Sequence, residues 1–256
     1  RAAMLRALPR LCAAGGNARA RVALIHAMQP SIASSLPAFA RLWPEAELLH
    51  LMDDSLARDV ARTGLDASMD RRFMALAKYA RDAADCSGIL FTCSAFGSSI
   101  EGVQRELRTG AFPVLKPNEA MMEEVAALGR PGAEGRAPPL AVFSIFAPTL
   151  ESIPRELQEL GGGRLDVQPH FVPGALDALN AGDEEGCIQI IASAAESVAS
   201  AAHRAGEDLA CVAFAMFSMA RARGATEQRL RAALGDRAPP VLTSPDSAVV
   251  RLRELL

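Results

Sequence analysis

The chain has 256 residues, half of them hydrophobic, which allows one large or two small domains with a sizeable core. A net charge of -3 at pH 7 gives no electrostatic reason to expect binding to nucleic acid or to an anionic membrane. The five cysteines are far apart and form no C-x-x-C pair, which argues against a disulfide framework or a zinc site. We therefore expect a cytoplasmic protein with no metal.

Membrane-spanning and targeting segments each have a characteristic composition. No uninterrupted apolar run is long enough to suggest a transmembrane helix. Residues 1–20 are rich in Ala and Arg and contain no acidic residue, which resembles an organellar transit segment. We interpret 1–20 instead as a disordered leader and leave it out of the fold.

Short apolar runs alternate with segments of helical spacing along the rest of the chain. The predicted strands are 22–26, 46–51, 89–91, 113–115, 140–146, 167–172, 209–214 and 241–242. The predicted helices are 36–43, 68–84, 100–107, 118–128, 148–160, 174–181, 183–205, a helix capped by Thr226, and 244–256. Regular alternation of strand and helix predicts an α/β protein with parallel sheets.

One predicted turn carries a candidate for chemistry. Cys93 follows the apolar run Ile89–Phe91 and precedes the helix that begins near Ile100. Ligands bind at the carboxyl ends of strands in open α/β sheets, and free amides at a helix start favour anions. A thiol in this place is expected to ionise more easily and to be reactive, although a lone cysteine can also be a small buried hydrophobe.

The two halves of the chain repeat each other. The run 22–25 matches 140–143, a shift of 118 residues, and the turn at Cys93 matches the turn at Met216, a shift of 123. The Pro-Val-Leu segment at 113–115 matches 240–242, a shift of 127. Chance similarity among βα units is the alternative, but three landmarks in one order favour a duplication into two lobes. A cleft between such lobes would place the Cys93 and Met216 turns on opposite walls.

These residues resemble the aspartate/glutamate/hydantoin racemase superfamily over about residues 21–256. The resemblance rests on Phe91-Thr92-Cys93-Ser94, on the turn from Phe214 to Ala220, and on the paired Pro-Val-Leu segments. It implies two pseudo-symmetric Rossmann-like lobes, each a four-stranded parallel sheet flanked by helices, with the active site in the cleft. It also implies cofactor-independent proton transfer at the carbon next to a carboxylate, by one cysteine from each lobe.

The resemblance also assigns roles to individual residues. It implies that Cys93 is the first catalytic thiol, acting as base or nucleophile. It implies a small carboxylate or amino acid as substrate, and a homodimer would be in keeping with it. The residues expected to bind the substrate are Thr92, Ser94 and Ser218, with Gln29, Ser31 and Asn118 as further candidates, although Ser31 and Asn118 could instead cap helices.

The second cysteine position departs from the pattern of the superfamily. Met216 stands there, and a thioether cannot exchange a proton. Cys211 is close in sequence but lies inside a predicted strand. Three functions follow as alternatives: a racemase-like isomerase using Cys93 and another proton source, a single-thiol decarboxylase, or a small-acid binding protein without catalysis.

The domain boundaries follow from the repeat. We expect a first lobe of residues 21–116 together with a returning C-terminal helix, 244–256. Residues 117–243 are expected to form the second lobe.

Overall fold

The computed structural model describes residues 20–107, 112–132, 135–147 and 149–256. Apart from Ala20, the leader predicted at 1–20 lies outside the described residues, and so does Pro148 of the repeat. The described strands form two parallel sheets. The strands are β1 (Arg21–His26), β2 (Glu47–Met52), β3 (Gly88–Phe91), β4 (Val114–Leu115), β5 (Pro139–Ser144), β6 (Asp166–Phe171), β7 (Cys211–Phe214) and β8 (Val241–Thr243).

Helices connect successive strands. They are α1 (Pro30–Leu42), α2 (Leu56–Thr63), α3 (Ala67–Lys78), α4 (Gly97–Leu107), α5 (Glu119–Leu128), α6 (Thr149–Leu160), α7 (Ala175–Asn180), α8 (Glu184–Arg204), α9 (Arg223–Leu234) and α10 (Ser244–Leu255). Short 3-10 helices at 94–96, 217–222 and 235–237 and a π-helical turn at 79–83 complete the described elements. No helix within this part of the chain is both long and apolar enough to cross a bilayer.

The two sheets have the same topology. The strand order is β2-β1-β3-β4 in the first sheet and β6-β5-β7-β8 in the second, with every pairing parallel. The registers also agree, because Ile25 pairs with Phe91 in the first sheet and Phe143 with Phe214 in the second. The predicted fold of two pseudo-symmetric α/β lobes is therefore confirmed.

Each sheet is covered by helices on both faces, which explains why its central strands are continuous apolar runs. Val22, Ala23 and Leu24 of β1 have no exposed surface. One face of the first sheet packs with α3 and α4, and the equivalent face of the second packs with α8 and α9.

The other face of each sheet receives the final helix of the opposite half. Ala248, Val249 and Leu252 of α10 pack with residues of β1 and α1. In the same way Met121 and Val125 of α5 pack with β5 and β7. We propose that the lobes are 21–116 with 244–256, and 117–243, since each then keeps the helix that completes its core.

Several local predictions were wrong. Helix α2 was not predicted. Helix α3 is capped by Asp66 and not by Ser68: the Asp66 side chain accepts hydrogen bonds from the backbone N–H groups of Ser68 and Met69 at 2.9 and 3.0 Å. Thr226 does not cap α9. It lies buried inside that helix, where its hydroxyl donates to the carbonyl oxygen of Ala222 at 2.8 Å.

Candidate active site

The Cys93 turn lies at the carboxyl end of β3. Cys93 has extended backbone angles (φ -127°, ψ 118°) and directly precedes the 3-10 helix at 94–96, which runs into α4. Its side chain is half-buried and packs against the apolar cluster that contains Phe91 and Phe96. The two residues after it, Ser94 and Ala95, are exposed. The thiol is thus held by core packing on one side and borders an open polar turn on the other.

The acidity of Cys93 differs from the sequence-based expectation. Burial raises the pKa of the thiol above that of an ordinary cysteine, because the charged thiolate loses hydration. The backbone N–H of Ala95 acts in the opposite direction but is the smaller effect. The expected easy ionisation at the turn is therefore wrong, and at neutral pH the resting thiol carries its proton.

Met216 occupies the equivalent place in the second half. Its backbone angles (φ -127°, ψ 139°) match those of Cys93, and it too precedes a 3-10 helix, at 217–222. The strand pairing is also the same: the N–H of Thr92 donates to Ile25 at 3.1 Å, and the N–H of Ala215 donates to Phe143 at 3.0 Å. The sulfur at this second position therefore belongs to a thioether that cannot transfer a proton.

Cys211 does not replace the missing thiol. It lies at the start of β7 with no exposed surface and is part of the core between β7 and α5. Burial raises its pKa to about 12, so it stays neutral throughout the physiological range.

A buried hydrogen-bonded chain lies beside the Cys93 turn. The Nδ1 atom of His26 is 2.9 Å from the hydroxyl oxygen of Thr92, and its Nε2 atom is 3.0 Å from Nδ1 of His50. The Thr92 hydroxyl also donates to the carbonyl oxygen of Ile25 at 3.3 Å, so Nδ1 of His26 is the donor to Thr92. Nε2 of His26 then accepts from His50. Burial lowers the pKa of His26 to about 4, with His50 adding to the effect, so His26 is neutral.

Sequence reasoning missed this chain. It assigned no role to His26 or His50. The usable signal was their position on the same face of two neighbouring predicted strands, with His50 opposite Leu24 in the register. Among the described residues, no group of three or more His, Cys, Asp or Glu side chains is placed to hold a metal ion.

The predicted substrate-binding residues fall into different settings. Thr92 is 4% exposed, and its hydroxyl is occupied by His26 and Ile25, so a contact through that hydroxyl would require rearrangement. Ser94 is exposed beside Cys93, whereas Ser218 is half-buried in the turn after Met216. Two more candidates, Gln29 and Ser31, lie at the start of α1, where Gln29 is exposed and Ser31 is half-buried.

The side chain of Asn118 is engaged in hydrogen bonds within the protein. It is 6% exposed, and its side-chain oxygen accepts from the hydroxyl of Ser244 at 2.8 Å. Its side-chain nitrogen donates to the carbonyl oxygen of Ala215 at 3.4 Å. Asn118 precedes α5 as predicted, but its side chain makes no capping hydrogen bond. Both polar groups thus connect the start of α5 to the second half of the chain.

The two halves meet beside the Met216 turn. Phe217, which follows Met216, packs with Phe39 and Trp43 of α1. Glu156 of α6 lies in the second half, and burial raises the pKa of its carboxyl group. The charges of Lys116 and Glu101, from the first half, also act on this carboxyl group. Helix α1 of the first half therefore borders the Met216 turn, and α6 of the second half lies near Lys116 and Glu101 of the first.

No protein-family model matches the sequence, and no curated protein is significantly similar to it. Solved structures do match. An aspartate racemase homologue from Pyrococcus horikoshii superposes with a TM-score of 0.60 and 17% identity over 92% of this chain and 98% of that chain. The chain has the fold of these racemases.

Two further structures agree. Allantoin racemase from Pseudomonas fluorescens gives a TM-score of 0.56 at 15% identity, over 92% of this chain and 90% of that one. Glutamate racemase from Francisella tularensis, solved with D-glutamate, gives 0.53 at 12% identity, over 93% and 83%. The predicted resemblance to the aspartate/glutamate/hydantoin racemase superfamily is confirmed as a likeness of fold.

Proposed function

We propose that the protein is a racemase-like isomerase that needs no cofactor and acts at the carbon next to the carboxylate of a small acid. The observation that carries the proposal is the placement of Cys93 at the carboxyl end of β3, at the edge where α/β sheets bind ligands. The racemase fold supports the same class of reaction.

The proposed reaction uses Cys93 as a one-sided acid–base group. Backbone N–H groups at the start of the 3-10 helix, with the exposed hydroxyl of Ser94, would hold the substrate carboxylate. Cys93 first loses its thiol proton to water; the thiolate then takes the α-proton, the electron pair moves into the carboxylate to give an enediolate, and a proton then returns to the carbon. Since Met216 cannot supply a proton on the opposite face, water does so there.

A decarboxylase is the second candidate, and the pairing of Cys93 with an inert Met216 favours it. In that reaction the α-carbon carries two carboxylates: one leaves as carbon dioxide, and the electron pair of the broken bond moves into the other to give an enediolate. The protonated thiol of Cys93 gives its proton to that carbon and then recovers one from water. Only one acid–base group is required, and the raised pKa keeps that group protonated at rest.

The test is exchange of the α-proton in heavy water, followed by proton NMR. The panel contains aspartate, glutamate, hydantoins, small dicarboxylates and small monocarboxylates with apolar substituents, with wild type beside Cys93→Ala. Cys86→Ala is the matched control, because Cys86 is a buried thiol packed in the same apolar cluster. We expect exchange in wild type and in Cys86→Ala, and none in Cys93→Ala.

The alternatives give different results in the same samples. Release of carbon dioxide in place of exchange would identify the decarboxylase. Exchange that is unchanged in Cys93→Ala would contradict the assignment of Cys93. Ligand-induced thermal stabilisation with no turnover in any sample would point to a binding protein instead.

A further inference from the structure

Four large apolar side chains are exposed at the edge of the sheets that carries the candidate site. They are Met28, Met52, Phe146 and Phe171, with 51%, 45%, 47% and 50% of their surface exposed, and we call them the apolar rim. Single exposed apolar residues are common on proteins and need no explanation. The rim is different because its four members occupy related positions.

The rim consists of two equivalent pairs. Met28 follows β1 and Phe146 follows β5; the carbonyl oxygen of Met28 accepts from the N–H of Ser31, and that of Phe146 accepts from Thr149, both at 3.1 Å. Met52 and Phe171 are the last residues of β2 and β6.

Their pairing in the sheets is also equivalent. Met52 lies opposite His26 at the end of β1, and Phe171 lies opposite Ser144 at the end of β5. Each half of the chain therefore presents a large apolar side chain at the same two places.

These places share the strand-end location of the candidate site. All four residues lie at or just beyond the carboxyl ends of strands, the edge at which the Cys93 and Met216 turns also lie. The Met28 loop leads directly into α1, which packs against Phe217 after Met216. A ligand held at Cys93 would extend along this edge.

Three of the described cations near this edge are paired with carboxylates. Arg72 pairs with Asp53 and with Asp59, the latter at 2.7 Å. Lys116 pairs with Glu101 at 3.0 Å, and Arg221, which follows the Met216 turn, pairs with Glu184 at 3.0 Å. A second carboxylate on the substrate would have to compete with these ion pairs, whereas an apolar group would meet exposed apolar surface.

We propose that the ligand of the site is a monocarboxylate with a bulky apolar substituent, bound with its carboxylate at the Cys93 turn and its substituent against the apolar rim. The inference rests on the proposed function, since it concerns the substrate class of the same site. Dicarboxylates such as aspartate and glutamate would then be poor substrates.

The test compares the affinities of phenylacetate and succinate by isothermal titration calorimetry. These probes have similar size and differ in carrying a phenyl ring or a second carboxylate. The proteins are wild type, Phe146→Ser, Cys93→Ala and the control Leu160→Ser, whose exposed leucine lies at the far end of α6. We expect phenylacetate to bind wild type about tenfold more tightly than succinate, the effect of burying part of a ring.

The variants separate the ligand class from the reaction. We expect Phe146→Ser to weaken phenylacetate binding about fivefold or more and Leu160→Ser to leave it near the wild-type value, while Cys93→Ala serves only to test exchange. Equal or tighter binding of succinate, or phenylacetate binding unaffected by Phe146→Ser, would overturn the inference. So would a change in oligomeric mass in Phe146→Ser at constant affinity, since the rim would then be a contact between copies of the chain. If phenylacetate affinity falls in Phe146→Ser but no exchange depends on Cys93, the ligand class is supported and only the proposed reaction is refuted.

Discussion

The buried histidine beside the candidate site predicts a specific loss of stability in acid. His26 has no exposed surface, and both ring nitrogens are hydrogen-bonded, one to Thr92 and the other to His50. Burial, with a smaller contribution from His50, lowers the pKa of His26 from 6.5 to about 4. The unfolded chain therefore binds a proton on His26 in a pH range where the folded protein does not.

The sign and size of the effect follow from this difference. Because the unfolded state binds more protons, the free energy of unfolding falls as the pH drops below 6.5 and stops falling below about 4. The full difference of pKa corresponds to about 3.4 kcal/mol, and about 2 kcal/mol of it is lost between pH 7.5 and pH 5. Burial lowers the pKa of His50 as well, which adds to the loss in the same direction.

The assay is urea denaturation at pH 7.5, 6 and 5, with wild type beside His26→Gln. The variant starts less stable, but it should lose about 2 kcal/mol less than wild type between pH 7.5 and pH 5. His203→Gln is the control, because His203 is a partly exposed histidine paired with Asp208 on the surface. An acid loss in His26→Gln as large as that of wild type would refute the reasoning.

Three further predictions concern the two turns and the contact between the halves. Met216→Cys should increase inversion of the α-carbon, measured by chiral chromatography, because it restores an acid–base group on the second turn; no gain in a folded, substrate-binding variant would count against the equivalence with Cys93. The rate of alkylation of Cys93 should still be rising at the pH where free cysteine has levelled off, because burial raises its pKa; a plateau at lower pH would contradict this. Asn118→Ala should lower the free energy of unfolding by about 1–3 kcal/mol, since Ser244 and the carbonyl of Ala215 lose a buried partner; urea melts as stable as wild type would show that the contact is dispensable.

Features that depend on local pattern could be predicted from the sequence. The run Ile89–Phe91 had to be a buried strand because it is short, apolar and followed by a turn, and the structure gives β3 over Gly88–Phe91. The repeat of Cys93 and Met216 at matching positions followed from the order of strands and turns. It appears in the structure as similar backbone angles and equivalent strand pairing.

Features that depend on which atoms are buried could not be predicted. The helix start suggested an acidic thiol at Cys93, but the loss of hydration there outweighs the single helping N–H, and only packing reveals this. Asn118 was expected to bind substrate, yet the approach of Ser244 and Ala215 from the other half occupies its side chain. Contacts of this kind join residues more than 90 positions apart, so no local pattern encodes them.

The measurement that tests the central claim most directly is the stereochemical course of the exchange at the α-carbon. An enantiopure substrate that the enzyme turns over would be incubated in heavy water, and deuterium incorporation and inversion would be measured in the same sample. Because Cys93 serves one face and Met216 is inert, we predict that incorporation runs ahead of inversion in wild type and that both are lost in Cys93→Ala. Inversion that keeps pace with incorporation in wild type, or incorporation that persists in Cys93→Ala, would contradict the account.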